Sequence, residues 1–238
     1  MARPADPAVG HDRVIRAVIF DLDGVIVDSE IWWDEVRETF ARDHGRPWTQ
    51  ADQHAVMGGN SAQWSATMRE RLELDLADAD IQAVIVEGVV ARYERDGPPT
   101  IAGAVEAVRR IAADCPTALA SSSHRRVIDA ALAATGLTDV FDAVVSSDEV
   151  AHGKPAPDVF LAAASRIGMP PAGVLVVEDS LNGLRAAKAA GMATVLVPNH
   201  SVPPAPGWEP FADSVLDRLA DLDPDRLFAR PPAGAERR

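Results

Sequence analysis

The sequence predicts an α/β protein: a Rossmann-like parallel sheet with helices on both faces, and an all-α domain inserted after the first strand. Three observations carry this prediction. Short runs rich in Val and Ile, too short for independent helices, recur along the chain and read as buried strands. Helical patterns alternate with them, and several stop at a glycine. One interval of about 70 residues breaks the alternation and holds helical patterns only, far too long for an ordinary strand-to-helix loop.

The elements follow in order. Ala17–Phe20 is the first strand. The helical interval Ser29–Pro98 comes next, with helices expected over Ile31–His44, Ser61–Leu72 and Ala79–Tyr93. In the last of these, Ile81, Val84, Ile85 and Val89 keep helical spacing. Its expected hinges are Asp28–Ser29 and the Gly97-Pro98-Pro99 stretch. Ile101–Ala113 puts Val105, Val108 and Ile111 on one helix face. The strand Thr117–Ala120 leads to a helix over Arg125–Thr135, which stops at Gly136. After the strand Ala143–Val145, a helix over Asp158–Ile167 stops at Gly168. After Val174–Val177, a helix over Leu181–Ala190 stops at Gly191, and Thr194–Val197 is the last strand. The expected domains are 12–28 with 99–228 as the α/β core and 29–98 as the insertion. Residues 1–11 and 229–238 read as loose tails. Val202–Pro210, with four prolines, reads as a rigid connector.

Composition narrows the function. With 47% hydrophobic and 25% charged residues in 238, the chain is neither disordered nor collagen-like. A net charge of −13 argues against nucleic acid and anionic membrane, which clustered basic residues would bind. Cys115 is the single cysteine, so no internal disulfide can form; it reads as a packed or half-exposed thiol. No apolar stretch approaches the roughly 18 residues that span a bilayer, and Met1–His11 lacks the apolar segment of a signal peptide. A cytoplasmic monomer is the expectation. Lysine is scarce: Lys154 and Lys188 stand against 21 arginines.

Chemistry gathers where strands end, which is where ligands sit in such sheets. The first strand runs into Asp21-Leu22-Asp23-Gly24, two carboxylates that point the same way in an extended chain; a plain Asp-Gly turn is the alternative. The second runs into Ser121-Ser122-Ser123, hydroxyls and N–H groups suited to an anion, or merely to a helix N-cap. The fourth runs into Glu178-Asp179-Ser180, oxygen donors for a hard divalent cation, or acids favouring a helix N-terminus. Lys154 sits in Gly153-Lys154-Pro155-Ala156-Pro157-Asp158; a lysine in so arginine-rich a chain points to a need for a compact charge, although a solvated loop lysine is the plain alternative. Brought to one sheet edge, Asp21, Asp23, Glu178 and Asp179 need compensation, which Mg²⁺ and Lys154 would supply. A carboxylate nucleophile, a metal and anion donors fit phosphoryl transfer through an aspartyl-phosphate. Asp23 could then protonate the leaving oxygen and afterwards activate water.

These segments resemble the haloacid dehalogenase superfamily, in the subgroup of phosphatases related to β-phosphoglucomutase. The matching stretches are FDLDGVIVDSE (Phe20–Glu30), ALASSS (Ala118–Ser123), GKPAPD (Gly153–Asp158) and VVEDSLNGLRAAKAAGM (Val176–Met192), in the family's order and across most of the core. The resemblance implies that Asp21 is nucleophile and metal ligand. It implies that Asp23 is general acid/base and gives Mg²⁺ its backbone carbonyl. Ser121 and Lys154 would hold phosphoryl oxygens, with Ser122 beside them, and Glu178 and Asp179 would complete the metal site. The insertion would be the family's α-helical cap, which closes over substrate and excludes water.

Departures sort the branches. Asp23 and the Glu178–Asp179 pair argue against a metal-free dehalogenase. A phosphonatase needs a cap lysine, and residues 29–98 contain none. Trp33 stands where the mutase branch carries a histidine, and Ser61 stands where it carries an arginine. Hydrolysis of a small phosphomonoester, a sugar phosphate, is therefore expected over mutase activity. A phospho-aspartate signalling domain is a further alternative; such domains are usually half this length. Substrate contacts in the cap are expected from Trp33, Gly59 and Asn60, with Trp32, Met57, Gly58 and Trp64 as further candidates; tryptophans at helix spacing also read as core. His124 and His152 read as surface or capping residues.

Overall fold

Ala17–Phe20 (β1) is buried along its whole length, and its alternate side chains enter two different cores. That is the behaviour of a central strand covered on both faces. The computed structural model describes residues 14–223. After β1 come the helices Glu30–Asp43 (α1), Gln50–Val56 (α2), Ser61–Arg71 (α3) and Asp78–Asp96 (α4). The α/β alternation then runs Ala104–Asp114 (α5), Thr117–Ser121 (β2), Arg125–Thr135 (α6), Ala143–Ser146 (β3), Asp158–Arg166 (α7), Val174–Glu178 (β4), Leu181–Ala189 (α8), Ala193–Leu196 (β5) and Ser214–Val215 (β6).

All strand pairs are parallel, in the order β3-β2-β1-β4-β5-β6. The sheet grows to one side of β1 through β2 and β3, then resumes on the other side with β4. The crevice between β1 and β4 is thus a topological switch point, open at the strands' carboxyl ends. Val18, Phe20, Leu119 and Val177 face one layer, together with Val108 and Ile111 of α5 and Val127 and Ile128 of α6. Ile19, Ala120 and Val176 face the other, against Val159 and Phe160 of α7 and Ala187 of α8.

Local sequence starts the inserted helices. Thr49 with Asp52 opens α2 and Asn60 with Gln63 opens α3, each as a capping box. Trp32 of α1 meets Tyr93 of α4 edge-on, with ring centroids 5.4 Å apart. The two connections to the sheet run side by side: Asp28 N–H donates to Pro99 O at 2.7 Å, and Ile101 N–H to Ile26 O at 2.9 Å. Apolar packing continues from Phe20 and Leu22 through Trp32, Trp33 and Tyr93 without a break.

Several boundaries differ from the sequence reading. The second, third and fourth strands extend one polar residue further, because Ser121 pairs with Ser146 and Glu178 with Leu196. The fifth lies one residue earlier, at Ala193–Leu196. α2 was not expected, since its seven residues carry almost no apolar periodicity. β6, two residues at the sheet edge, left no pattern either. The expected tails 1–11 and 229–238 lie outside the described residues. Cys115 is half-buried, and that burial, with Asp114 and Asp142 nearby, pushes its thiol up to about 11. No helix among the described residues is long and apolar enough to cross a membrane.

Candidate active site

β1 delivers Asp21 to the switch point, and its N–H donates to Val177 O of β4 at 3.0 Å. Lys154 arrives from the loop before α7, its side chain over the Phe160 ring at 4.8 Å. Buried to 4% exposure, its Nζ donates to Asp21 Oδ1 and Glu178 Oε1, each at 2.6 Å, and to Ala120 O at 3.2 Å. All three ammonium donors are therefore engaged. Asp21 Oδ2 accepts no hydrogen bond among the described residues.

Glu178 is fixed from its other side. Its Oε2 accepts from Asp179 N–H at 3.0 Å, Ser180 N–H at 2.9 Å and Ser180 Oγ at 2.9 Å. The carboxylate also lies against Gly183, where a Cβ would overlap it. Carboxylate oxygens of Asp21, Glu178 and Asp179 lie within 4.8 Å of one another. The Asp179 carboxylate occupies the space a side chain would need at Gly24, whose φ is +83°. Gly24→Ala therefore meets both a left-handed backbone and a displaced carboxylate. It is expected to cost about 2 kcal/mol or more of stability in urea unfolding, and to lower kcat/KM at least tenfold.

Asp23 stands apart from this carboxylate cluster. Ser29 Oγ donates to its Oδ1 at 2.5 Å and Ser123 Oγ to its Oδ2 at 2.7 Å. Ser121 Oγ is a longer 3.4 Å from the same Oδ2 and accepts Ser123 N–H at 3.0 Å. Ser122 is half-buried and has no side-chain hydrogen bond among the described residues. Ser29, Ser123, Ser180 and Gly183 escaped sequence reasoning in these roles. Ser180, three residues before Gly183 at a helix start, carried a readable capping signal; the others carried none.

The insertion meets the core beside Lys154. Asn60 caps α3 and packs on Gly153, where a Cβ would come within 2.9 Å of its Nδ2. Ser61 donates to Asp148 from both its N–H, at 3.1 Å, and its Oγ, at 2.6 Å. Gly59 precedes this contact and lies over the Gln63 side chain. Trp33 is 4% exposed and edge-on to Trp64, with centroids 6.1 Å apart. His124 caps α6, and His152 pairs with Asp158 on the surface.

Electrostatics single out the cluster. Burial pushes the Asp21 carboxyl up to about 7, against the pull of Lys154 and with the help of Glu178 and Asp23. Burial, then Glu178 and Asp21, hold Asp179 well above the ordinary carboxylate range. Burial alone would lower Lys154, but Asp21 and Glu178 outweigh it and hold the ammonium charged. Three carboxylates around one ammonium leave surplus negative charge in a low-dielectric crevice.

Carboxylates thus gather at the switch point of a parallel sheet, with helices inserted after the first strand. Residues 15–191 match the haloacid dehalogenase-like hydrolases, and the chain belongs to that family. Fructose-1-phosphate phosphatase YqaB of Escherichia coli is 35% identical over 182 residues, covering 75% of this chain and 94% of that protein. The bifunctional riboflavin kinase/FMN phosphatase of Arabidopsis thaliana is 31% identical over 212 residues, covering 88% of this chain; the chain spans 55% of that protein's length. Among solved structures, CbbY from Rhodobacter sphaeroides in complex with phosphate superposes with a TM-score of 0.75 at 26% identity, covering 87% of this chain and 96% of that one.

Proposed function

We propose that the protein is a Mg²⁺-dependent phosphomonoester hydrolase acting on a small phosphorylated metabolite, a sugar phosphate, through an aspartyl-phosphate on Asp21. The observation that carries this is the asymmetry of Asp21: one oxygen held by Lys154, the other free, in a buried anionic crevice. Residues 29–98 act as the cap over a core of 12–28 and 99–228. The proposal includes a cytoplasmic monomer without nucleic-acid or membrane partners, in keeping with the −13 charge.

The donor set fits Mg²⁺, because it offers only oxygen and its charge needs balance. Asp21, Glu178 and Asp179, with the Asp23 carbonyl, would hold the ion, which when bound would supply positive charge to the developing charge on the phosphoryl oxygens. Asp21 Oδ2 attacks phosphorus and the bond to the leaving oxygen breaks. Asp23 gives that oxygen its proton, then takes one from the water that attacks phosphorus and frees Asp21. Ser29 and Ser123 aim the Asp23 carboxyl. Ser121 and Ser122 receive the phosphoryl oxygens, Lys154 joins them by exchanging its longest contact, to Ala120 O at 3.2 Å, for a phosphoryl oxygen, and Trp33, Gly59 and Asn60 shape the cap side. Two features support hydrolysis over sugar-phosphate transfer: an indole at position 33 cannot shuttle a proton, and Ser61 is tied to Asp148.

The test is purified protein with Mg²⁺ against a phosphomonoester panel, including both anomers of glucose 1-phosphate. Phosphate release that EDTA abolishes is expected. Isomerised sugar without phosphate would replace the hydrolase by a mutase. A lasting phospho-Asp21 after acetyl phosphate treatment would favour a signalling role.

The metal site also predicts a pH effect on stability. Asp21 moves from its ordinary 3.8 to about 7, so the folded state binds this proton more tightly than the unfolded one. Without metal, stability falls as pH rises from about 4 to about 7. The groups facing Asp21 are Lys154, Glu178, Asp23 and Asp179. Mg²⁺ requires the ionised carboxylates, so its Tm increment over EDTA is expected to be larger at pH 8 than at pH 5.

A further inference from the structure

Beside Asp23 the insertion carries a polar cluster that the reaction above does not use. Ser29, which holds Asp23, is followed by Glu30 at the start of α1. Glu30 Oε1 accepts from Gln53 Nε2 of α2 at 2.6 Å, and Arg37 Nη1 lies 3.5 Å from the same oxygen. Arg37 Nη1 also donates to Gln53 Oε1 at 3.2 Å. Arg37 is 4% exposed, yet its Nε is buried with no hydrogen-bond partner among the described residues. A guanidinium carries five N–H donors, and a buried one that served packing alone would have them satisfied. Its Cζ lies 5.0 Å from the Trp33 ring centroid and 5.9 Å from that of Trp64. Glu30 keeps 25% of its side chain accessible, although burial pushes its carboxyl upward. It keeps contact with solvent, and the charge of Asp23 reaches both Glu30 and Arg37.

We infer that Glu30, Arg37 and Gln53 form the specificity element that reads the leaving-group end of the substrate, and that this end is a neutral polyhydroxy group, a sugar or polyol. This rests on the phosphatase assignment and deepens it. The partly exposed Glu30 carboxylate offers an acceptor and the unpartnered Arg37 Nε a donor to neighbouring hydroxyls, with Gln53 holding the two charged groups side by side. Charge argues against a second anion. Glu30 offsets Arg37, and every other arginine in residues 29–98 lies within 4.0 Å of a carboxylate. The interval has no lysine. Among the described residues, the insertion thus has no arginine without a carboxylate partner to bind a second phosphate or a carboxylate. A site built to hydrogen-bond hydroxyls rejects analogues that lack them, by unpaired polar groups rather than by size.

The test compares kcat and KM of the Mg²⁺-loaded enzyme for a hexitol phosphate, a hexose bisphosphate, phosphoglycolate and 4-nitrophenyl phosphate. The wild type is expected to favour the hexitol phosphate at least tenfold in kcat/KM. Arg37→Lys and Glu30→Gln are expected to shrink its advantage over 4-nitrophenyl phosphate at least tenfold, mostly through KM. If Arg37→Lys does not fold, Gln53→Leu, which keeps the Arg37–Glu30 pair, carries the same comparison. An unchanged ratio in a folded, active variant makes the cluster a structural pairing and overturns the inference. A wild-type preference for the bisphosphate or phosphoglycolate overturns the neutral leaving group. No phosphate release from any of the four strikes the hydrolase assignment itself.

Discussion

Asp21→Asn is expected to leave less than about one part in a thousand of the wild-type kcat, with the fold intact. An amide is too poor a nucleophile to form the acyl phosphate, so the free oxygen at Oδ2 is lost as a reactant. The structure argues that little else changes. The side chain keeps its shape, and the backbone N–H still reaches Val177 O. Lys154 retains Glu178 and Ala120 O as partners. One of three mutually repelling carboxylates disappears, so Tm in EDTA at pH 8 is expected to hold or rise. Loss of turnover without loss of Tm separates a chemical role from a structural one. Residual activity above that level, in protein purified free of wild type, would argue against covalent catalysis by Asp21.

Much of the crevice was readable because each buried apolar run stops where its chemistry begins. Phe20 gives way to Asp21, Ala120 to Ser121 and Val177 to Glu178. Once the runs are strands of one parallel sheet, their ends must converge, so the residues meet without any knowledge of the loops. The supporting groups follow a different logic. Ser29 and Ser123 matter because of where the Asp23 carboxylate lies, and Gly183 because Glu178 leans over it. Those are distances between segments far apart in sequence, and local pattern does not encode them. The same holds for the cap. Glu30 and Arg37, seven apart, share a helix face by spacing alone, but Gln53 joins them from a helix too short and polar to be foreseen. Trp33 shows the limit: periodicity puts it on a buried face, while only the packing of α1 and α3 brings it onto Trp64 and Arg37.

Lys154→Met is expected to cost about 3–5 kcal/mol of unfolding free energy at pH 8 in EDTA, because it leaves buried carboxylates without their cation. Methionine keeps an apolar chain against Phe160, so packing is largely preserved. The pH dependence identifies the cause. In the wild type the Lys154 ammonium is held above its usual range by Asp21 and Glu178, though burial opposes this. It is therefore charged, and its stabilisation present, at both pH 5 and pH 8. Asp21, at about 7, is protonated at pH 5, so there is less negative charge for the lysine to balance. The substitution removes the attraction that lowers Asp21, which moves its folded value further above 3.8. The variant should thus lose stability more steeply than the wild type as pH rises from about 4. Mg²⁺ should recover part of the loss at pH 8 by supplying charge to the same oxygens. Urea unfolding at the two pH values, with EDTA or Mg²⁺, reads all of this. A loss of equal size at both pH values and insensitive to Mg²⁺ would assign Lys154 to packing on Phe160, and would remove the cation from the centre of the site.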